Sequence, residues 1–258
     1  MTLEVLFVGA GPGDPDLITV AGQKALSKAN LIVMAGSLVN PAIITAHANP
    51  EATIIDSAPL TLEAIVGHLI EGYQKGLKVV RLHTGDPSLY GAIQEQMALL
   101  TAAKVPYRVI PGVTSALAGA AALGLEWTIP EVTQTLILTR AAGRTPMPNG
   151  EDLESLAQHQ ASLAIYLSAA QGPEVSRALS AAYGPEAPVA IGYRLTWPDE
   201  RLIWATAGTL APTLKAHDVI QHALILIGPA VAILKSGKVA PKSRLYAAEF
   251  THGHRAGS

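Results

Sequence analysis

The chain has 258 residues, enough for one large domain or two of ordinary size, and 18 Lys and Arg against 20 Asp and Glu leave it at a net charge of −2. That balance counts against a general nucleic-acid binder, and the absence of cysteine removes disulfides, thiolate zinc sites, iron–sulfur clusters and cysteine nucleophiles together. At 49% hydrophobic and 15% charged residues, the composition supports a sizeable core rather than disorder.

No basic region or long apolar run precedes Gly9, so no signal peptide is expected. The longest apolar stretch, residues 223–234, is too short for a bilayer and holds Gly228 and Pro229. The expectation is a globular cytoplasmic protein without membrane or nucleic-acid partners. Residues 3–8 (LEVLFV) read as a buried strand running into glycines. Residues 19–29 place Val20, Ala25, Leu26 and Ala29 at helical spacing, and 31–34 and 52–55 read as further strands. Over 62–73, Leu62, Ile65, Val66, Leu69, Ile70 and Tyr73 form one helical face, with Thr61 as N-cap and Gly76 as stop. A strand at 78–82, a helix at 93–100, a strand at 107–110 and a small-residue helix at 114–123 follow.

The pattern then restarts. Strands are predicted at 135–139, 164–167, 189–193, 202–205 and 223–227, and a helix at 173–182 closed by Gly184. Strands alternating with helices predict an α/β fold of two α/β domains, each with a mainly parallel sheet flanked by helices. The join is placed near 112–125. This divides the chain into an N-terminal domain at 1–115, a C-terminal domain at 116–245 and a flexible polar tail at 246–258. The histidines of that tail, His252 and His254, read as solvated rather than as metal ligands.

The first strand runs into Gly9-Ala10-Gly11-Pro12-Gly13-Asp14-Pro15, which at first sight is a dinucleotide loop. Three features exclude that. The third glycine position is Asp14, Pro12 and Pro15 remove donors a phosphate would need, and the second strand ends in Ala35-Gly36-Ser37 without an acid for a ribose. The same missing acid weakens an ordinary Rossmann methyltransferase, and no GxxxxGK[ST] loop is present. A rigid Gly-Pro-Gly turn suits close approach of a flat or uncharged ligand; the competing reading is a plain turn at a sheet edge. Four more loops follow predicted strands, where open α/β sheets bind ligands: residues 83–91 (HTGDPSLYG), 111–116 (PGVTSA), 166–168 (YLS) and 192–196 (GYRLT). Each alone is weak; five in this order are much stronger.

These segments resemble the tetrapyrrole methylases, the S-adenosylmethionine-dependent C-methyltransferases of corrin and sirohaem synthesis, over about residues 3–235. GAGPGDPDLIT at 9–19 and GDPSLYG at 85–91 look like family-wide signatures. IPEVTQTLILTRAAGRTPMP at 129–148 and IGYRLTWPDE at 191–200 look like the branch that methylates C11 of precorrin-4, or of its cobalt form, on the way to vitamin B12. The resemblance implies two α/β domains with an active-site trough between them, usually in a homodimer. It implies S-adenosylmethionine, released as S-adenosylhomocysteine, against Pro12, Thr84, Gly85, Asp86, Leu89, Thr114, Ser115, Leu167, Tyr193, Arg194 and Leu195. Thr84 stands where sirohaem-branch relatives often carry Gly, and Leu167 where Met is frequent; both argue against that branch.

Methyl transfer from a sulfonium needs positioning more than acid–base chemistry. No Ser-His-Asp order or metal-ligand spacing asks for another chemistry, so no protein-bound metal is expected. Asp86, the acid embedded in the signature, is read first as a positioning residue in the catalytic site, with capping of its own turn as an equal alternative. The acetate and propionate groups of a tetrapyrrole such as precorrin-4 call for cations: Arg140, Arg144, Arg194 and His83. For a single Arg, a solvated surface charge is the competing reading. Tyr90 and Trp197 are candidates for stacking on the macrocycle, against rim packing. Rival functions are methylation of another ring carbon, of diphthamide or of a ribose hydroxyl, and a tetrapyrrole-binding protein without turnover.

Overall fold

The computed structural model describes residues 3–244, Phe250 and Thr251, so most of the expected tail lies outside the described residues. The chain divides into two compact units: residues up to Ala118 together with Arg194–Glu200, and Gly119–Tyr193 together with the residues from Arg201 onward.

Unit 1 contains β1 (Val5–Gly9), a 3-10 turn (Pro15–Leu17), α1 (Val20–Leu26), β2 (Leu31–Met34), α2 (Pro41–His47), β3 (Thr53–Asp56), α3 (Leu62–Gln74), β4 (Val79–His83), α4 (Ile93–Ala102) and β5 (Tyr107–Ile110). Its sheet has the order β3-β2-β4-β1-β5, and every pairing is parallel. Continuous apolar runs suit strands covered on both faces, and β2 and β4 are buried at every position. The edge strand β3 is exposed at three of four positions. One layer packs Phe7, Val33, Leu69 and Leu100; the other packs Val8, Ile32, Leu82 and Ile43. The Thr61 hydroxyl caps α3 by accepting from the Ala64 amide at 3.3 Å, and Gly76 leaves the helix with φ 74, as their sequence positions predict. The helix α2 was not anticipated, although Asn40 and Pro41 carry its start signal: Asn40 accepts from the Ala42 amide at 3.0 Å.

Next in the chain comes α5 (Ser115–Leu123). Unit 2 contains β6 (Leu136–Arg140), α6 (Leu153–Ala157), β7 (Ser162–Tyr166), a 3-10 turn (Ala169–Gln171), α7 (Gly172–Tyr183), β8 (Pro188–Tyr193), β9 (Arg201–Thr206), α8 (Leu210–Ala216), β10 (Ala223–Ile227) and α9 (Pro229–Ser236). Its sheet has the order β6-β7-β10-β8-β9. Here the expectation of a mainly parallel sheet is corrected. β6–β7 is parallel, but β7–β10, β10–β8 and β8–β9 are antiparallel. The reason is chain length: residues 194–200 between β8 and β9 are too few for a helical crossover, so the pair is a hairpin. Helices α6, α8 and α9 are additional to those predicted. No helix among the described residues is long and apolar enough to cross a membrane.

Candidate active site

Parallel strands in register bring their following loops to one edge. Gly9 pairs with His83, and Val8 pairs with both Leu82 and Ile110, so the loops after β1, β4 and β5 leave the sheet side by side. The first two are joined backbone to backbone. The Gly85 amide donates to the Gly11 carbonyl at 2.8 Å, and the Gly11 amide returns a bond to Gly85 at 3.2 Å. Such closeness demands glycine: a Cβ on Gly9 would stand 2.6 Å from both Gly112 Cα and the Gly85 carbonyl oxygen. Gly85 itself is buried with φ 58, and a Cβ there would meet Thr114 Cα and the Val113 oxygen at an ordinary contact distance of 3.9 Å, so its backbone conformation rather than crowding calls for glycine.

Asp86 fastens the loops. One carboxylate oxygen accepts the Ser88 amide at 2.8 Å, and the other accepts the Gly112 amide at 2.9 Å. The turn-capping role is therefore present, extended to a bond onto the loop after β5. Thr84, Asp86, Leu89, Thr114 and Ser115 are all half-buried around this junction.

Residues 194–200 complete unit 1 at the loop after β1. The Thr196 hydroxyl accepts the Asp14 amide at 2.9 Å, and the Trp197 indole donates to the Pro12 carbonyl at 3.2 Å. A Cβ on Gly13 would collide with the Trp197 ring. Trp197 thus packs on the glycine loop, while Arg194 lies 4.8 Å from its ring centroid and pairs with Asp199 at 2.7 Å. Arg194 thus meets two residues of its own loop, and Leu195 is buried.

Among the cations expected to meet carboxylates, His83 is corrected. It is 4% exposed, stacks on Phe7 with ring centroids 6.0 Å apart, and burial, helped by the Arg81 charge, pushes its imidazole down to about 3. A neutral ring inside the core offers no cation to a ligand. Tyr90 is exposed, at φ 57.

Unit 2 holds the remaining candidates. Arg140 spends its guanidinium on the carbonyls of Ala141, Thr145 and Pro146 at 3.0–3.2 Å, shaping the loop after β6. On that loop Arg144 is exposed, and among the described residues it has neither an ion pair nor a hydrogen bond from its side chain. The two arginines therefore divide the work: one builds the loop, the other is offered by it. Leu167, after β7, is 58% exposed at φ 53, an unusual pairing of an apolar side chain with a left-handed backbone. Ser168 secures that turn, donating to the Tyr166 carbonyl at 2.6 Å and accepting the Ala141 amide at 2.7 Å. Tyr193 lies under the Arg201 guanidinium, 4.3 Å from its centroid.

Sequence reading missed Ser168, Thr196, Arg81 and Gln96. Ser168 and Thr196 sit inside segments it singled out, but nothing local marks a hydroxyl as a backbone anchor. Arg81 and Gln96 are buried polar residues on a strand and a helix, visible only once the layers are packed. A cavity of ≈ 580 Å³ in unit 1 is lined in part by Glu4, Leu6, Lys24, Lys28, Lys78 and Ile110.

The family model described as tetrapyrrole (corrin/porphyrin) methylases matches residues 4–211. A relative from Pseudomonas aeruginosa named precorrin-4 C(11)-methyltransferase is 46% identical over 255 residues, covering 99% of this chain and 100% of the relative. The solved structure of a cobalt precorrin-4 methyltransferase, a cobalamin biosynthetic enzyme, matches at 43% identity and TM-score 0.85, covering 88% of this chain and 95% of that one. A uroporphyrin-III C-methyltransferase from Thermus thermophilus, solved with S-adenosylhomocysteine, matches at 26% identity and TM-score 0.72, covering 89% and 99%.

Proposed function

Because the chain belongs to the tetrapyrrole (corrin/porphyrin) methylase family, we propose that it transfers the methyl group of S-adenosylmethionine to C11 of precorrin-4, giving precorrin-5 in corrin synthesis. The observation that carries this reading is the end-to-end likeness to a relative bearing that activity as its name. The solved structure named for the cobalt form favours a second reading in which the acceptor is cobalt-precorrin-4.

The residues present fit the cofactor. Gly85, at φ 58 and packed at ordinary contact distance against the Val113 and Thr114 backbone, puts bare main chain rather than a side chain at the junction of the loops. The surrounding groups are backbone amides and carbonyls and half-buried Thr84, Asp86, Leu89, Thr114 and Ser115, a mixed set of hydroxyls, one carboxylate and one apolar side chain suited to a nucleoside and an amino-acid group. Pro12, Leu167, Tyr193, Arg194 and Leu195 complete the proposed contacts. Held by these residues, S-adenosylmethionine would supply an activated sulfonium methyl for transfer to the ring carbon, with S-adenosylhomocysteine as its product.

The protein's part is placement. Holding donor and acceptor at near-attack distance is worth roughly 7–11 kcal/mol of barrier. Asp86 keeps two loops in one conformation, and Arg144 and Tyr90 receive the macrocycle's carboxylates and ring. Arg140 serves the macrocycle by holding the loop that carries Arg144. His83 has no part in this contact. Action as a homodimer belongs to the same proposal and is supported by the family resemblance; a cytoplasmic location belongs to it as well, on the sequence reading alone.

The test is incubation with S-adenosylmethionine and enzymatically prepared precorrin-4, read by product mass and carbon NMR. One added methyl at C11 is the expected result. No transfer to precorrin-4, with transfer to the cobalt form, replaces the first reading by the second.

A further inference from the structure

Beneath the loop at residues 85–91 lies an arginine without a carboxylate. Arg81, on β4, is 4% exposed, and no ion pair reaches it among the described residues. Its Nη1 donates to the Val33 carbonyl at 3.2 Å and to the Ser57 hydroxyl at 3.0 Å, and its Nε donates to Gln96 Oε1 at 3.1 Å. Desolvation pulls the guanidinium down to about 10, so it stays charged at neutral pH. A buried, unpaired cation is costly, and a packed apolar side chain would avoid the cost.

The bond to Gln96 has a directional consequence. A guanidinium only donates, so it captures the amide oxygen and leaves the NH₂ group pointing the other way. That group donates to the Ala92 carbonyl at 3.1 Å. Ala92 is the N-cap of α4, sits at φ 49 and ψ 37, and has no side-chain cap bond. Two residues earlier Tyr90 is at φ 57. The exit of the loop therefore holds two non-glycine residues at positive φ, one on either side of Gly91, a conformation that persists only where its surroundings over-determine it.

We propose that Arg81 and Gln96 are positioning residues, a buried relay in which the guanidinium orients the Gln96 amide and the amide pins Ala92, holding the loop that carries Gly85, Asp86 and Leu89 in its cofactor-binding conformation. This rests on reading that loop as the cofactor loop.

The test uses the full chain with thermal melting and calorimetric titration of S-adenosylmethionine on three variants. In Gln96→Glu the carboxylate keeps the Arg81 contact with added charge but has nothing to donate to Ala92. The expected result is a melting temperature at or above the parent's with affinity lowered at least fivefold. Adding Ala92→Gly to Gln96→Glu is expected to restore affinity to within twofold, since glycine holds a positive φ without help. Asp86→Ala reports on the reading beneath. If it loses affinity while Gln96→Glu binds like the parent, the relay is overturned and the cofactor loop stands. If neither loses affinity, the cofactor-loop reading falls and takes the relay with it. A loss in Gln96→Glu that follows a lowered melting temperature and is not restored by Ala92→Gly also overturns the relay.

Discussion

Asp86 accepts the amide of Gly112 at 2.9 Å, so one carboxylate oxygen ties the loop after β4 to the loop after β5 while its twin holds the Ser88 amide. Charged hydrogen bonds of this kind are worth about 1.5–3 kcal/mol each, less where solvent reaches them. Asp86→Ala is expected to lower S-adenosylmethionine affinity about tenfold with the fold retained, and Asp86→Asn less, because its amide oxygen still accepts one bond. Calorimetric titration checks both; parent affinity in the alanine variant would remove Asp86 from the site.

The contrast between Arg144 and Arg140 gives a second expectation. Arg144→Ala should raise the tetrapyrrole KM several-fold and leave cofactor affinity alone, since the side chain binds nothing else among the described residues. Arg140→Ala should also raise KM, by freeing the carbonyls of Thr145 and Pro146 that it holds. Proteolytic nicking of the loop separates the two variants: faster in Arg140→Ala, unchanged in Arg144→Ala. Equal KM values for Arg144→Ala and parent would return that residue to the solvated surface.

Gly112 and Gly67 predict opposite signs for one chemical change. A methyl on Gly112 meets the Gly85 carbonyl and Gly9 Cα, backbone that cannot step aside, whereas nothing lies within 4 Å of one on Gly67 in α3. Gly112→Ala should cost about 3 kcal/mol, the upper end for overpacking. Gly67→Ala should stabilise by about 0.5–1 kcal/mol through helix propensity and a less flexible unfolded chain. Urea unfolding midpoints measure both.

His83 sets a pH dependence. Its folded value of about 3 lies below the 6.5 of a solvated histidine, so between these pH values the unfolded chain binds a proton that the folded chain refuses. Stability from this residue is complete above about pH 6.5 and falls as pH drops, by about 1.4 kcal/mol per unit. His83→Phe, which keeps the stack on Phe7, should flatten that slope relative to the parent in urea unfolding between about pH 6.5 and pH 4. Parallel slopes for the two proteins would count against a neutral, buried ring.

Local pattern alone determined the strands and the longer helices. The runs at β1 and β2 are apolar because both their faces are covered, β4 is buried throughout although it carries Arg81 and His83, and α3 declares itself by one face and two caps. The same pattern located the loops at strand ends, and the resemblance followed from them. Only the tertiary structure decided what the polar residues do. Strand direction in unit 2 depends on hydrogen-bond partners chosen across the fold, and a six-residue strand reads the same in either direction. Arg140 and Arg144 are alike by sequence, yet one bends back onto three carbonyls and the other does not. His83 looked like a cation beside a ligand loop, but β4 turns it inward, where desolvation keeps it neutral. Charge and hydrogen bonding are set by what packs around a group, and in this chain those neighbours, such as Arg81 and Gln96, come from separate elements of the fold.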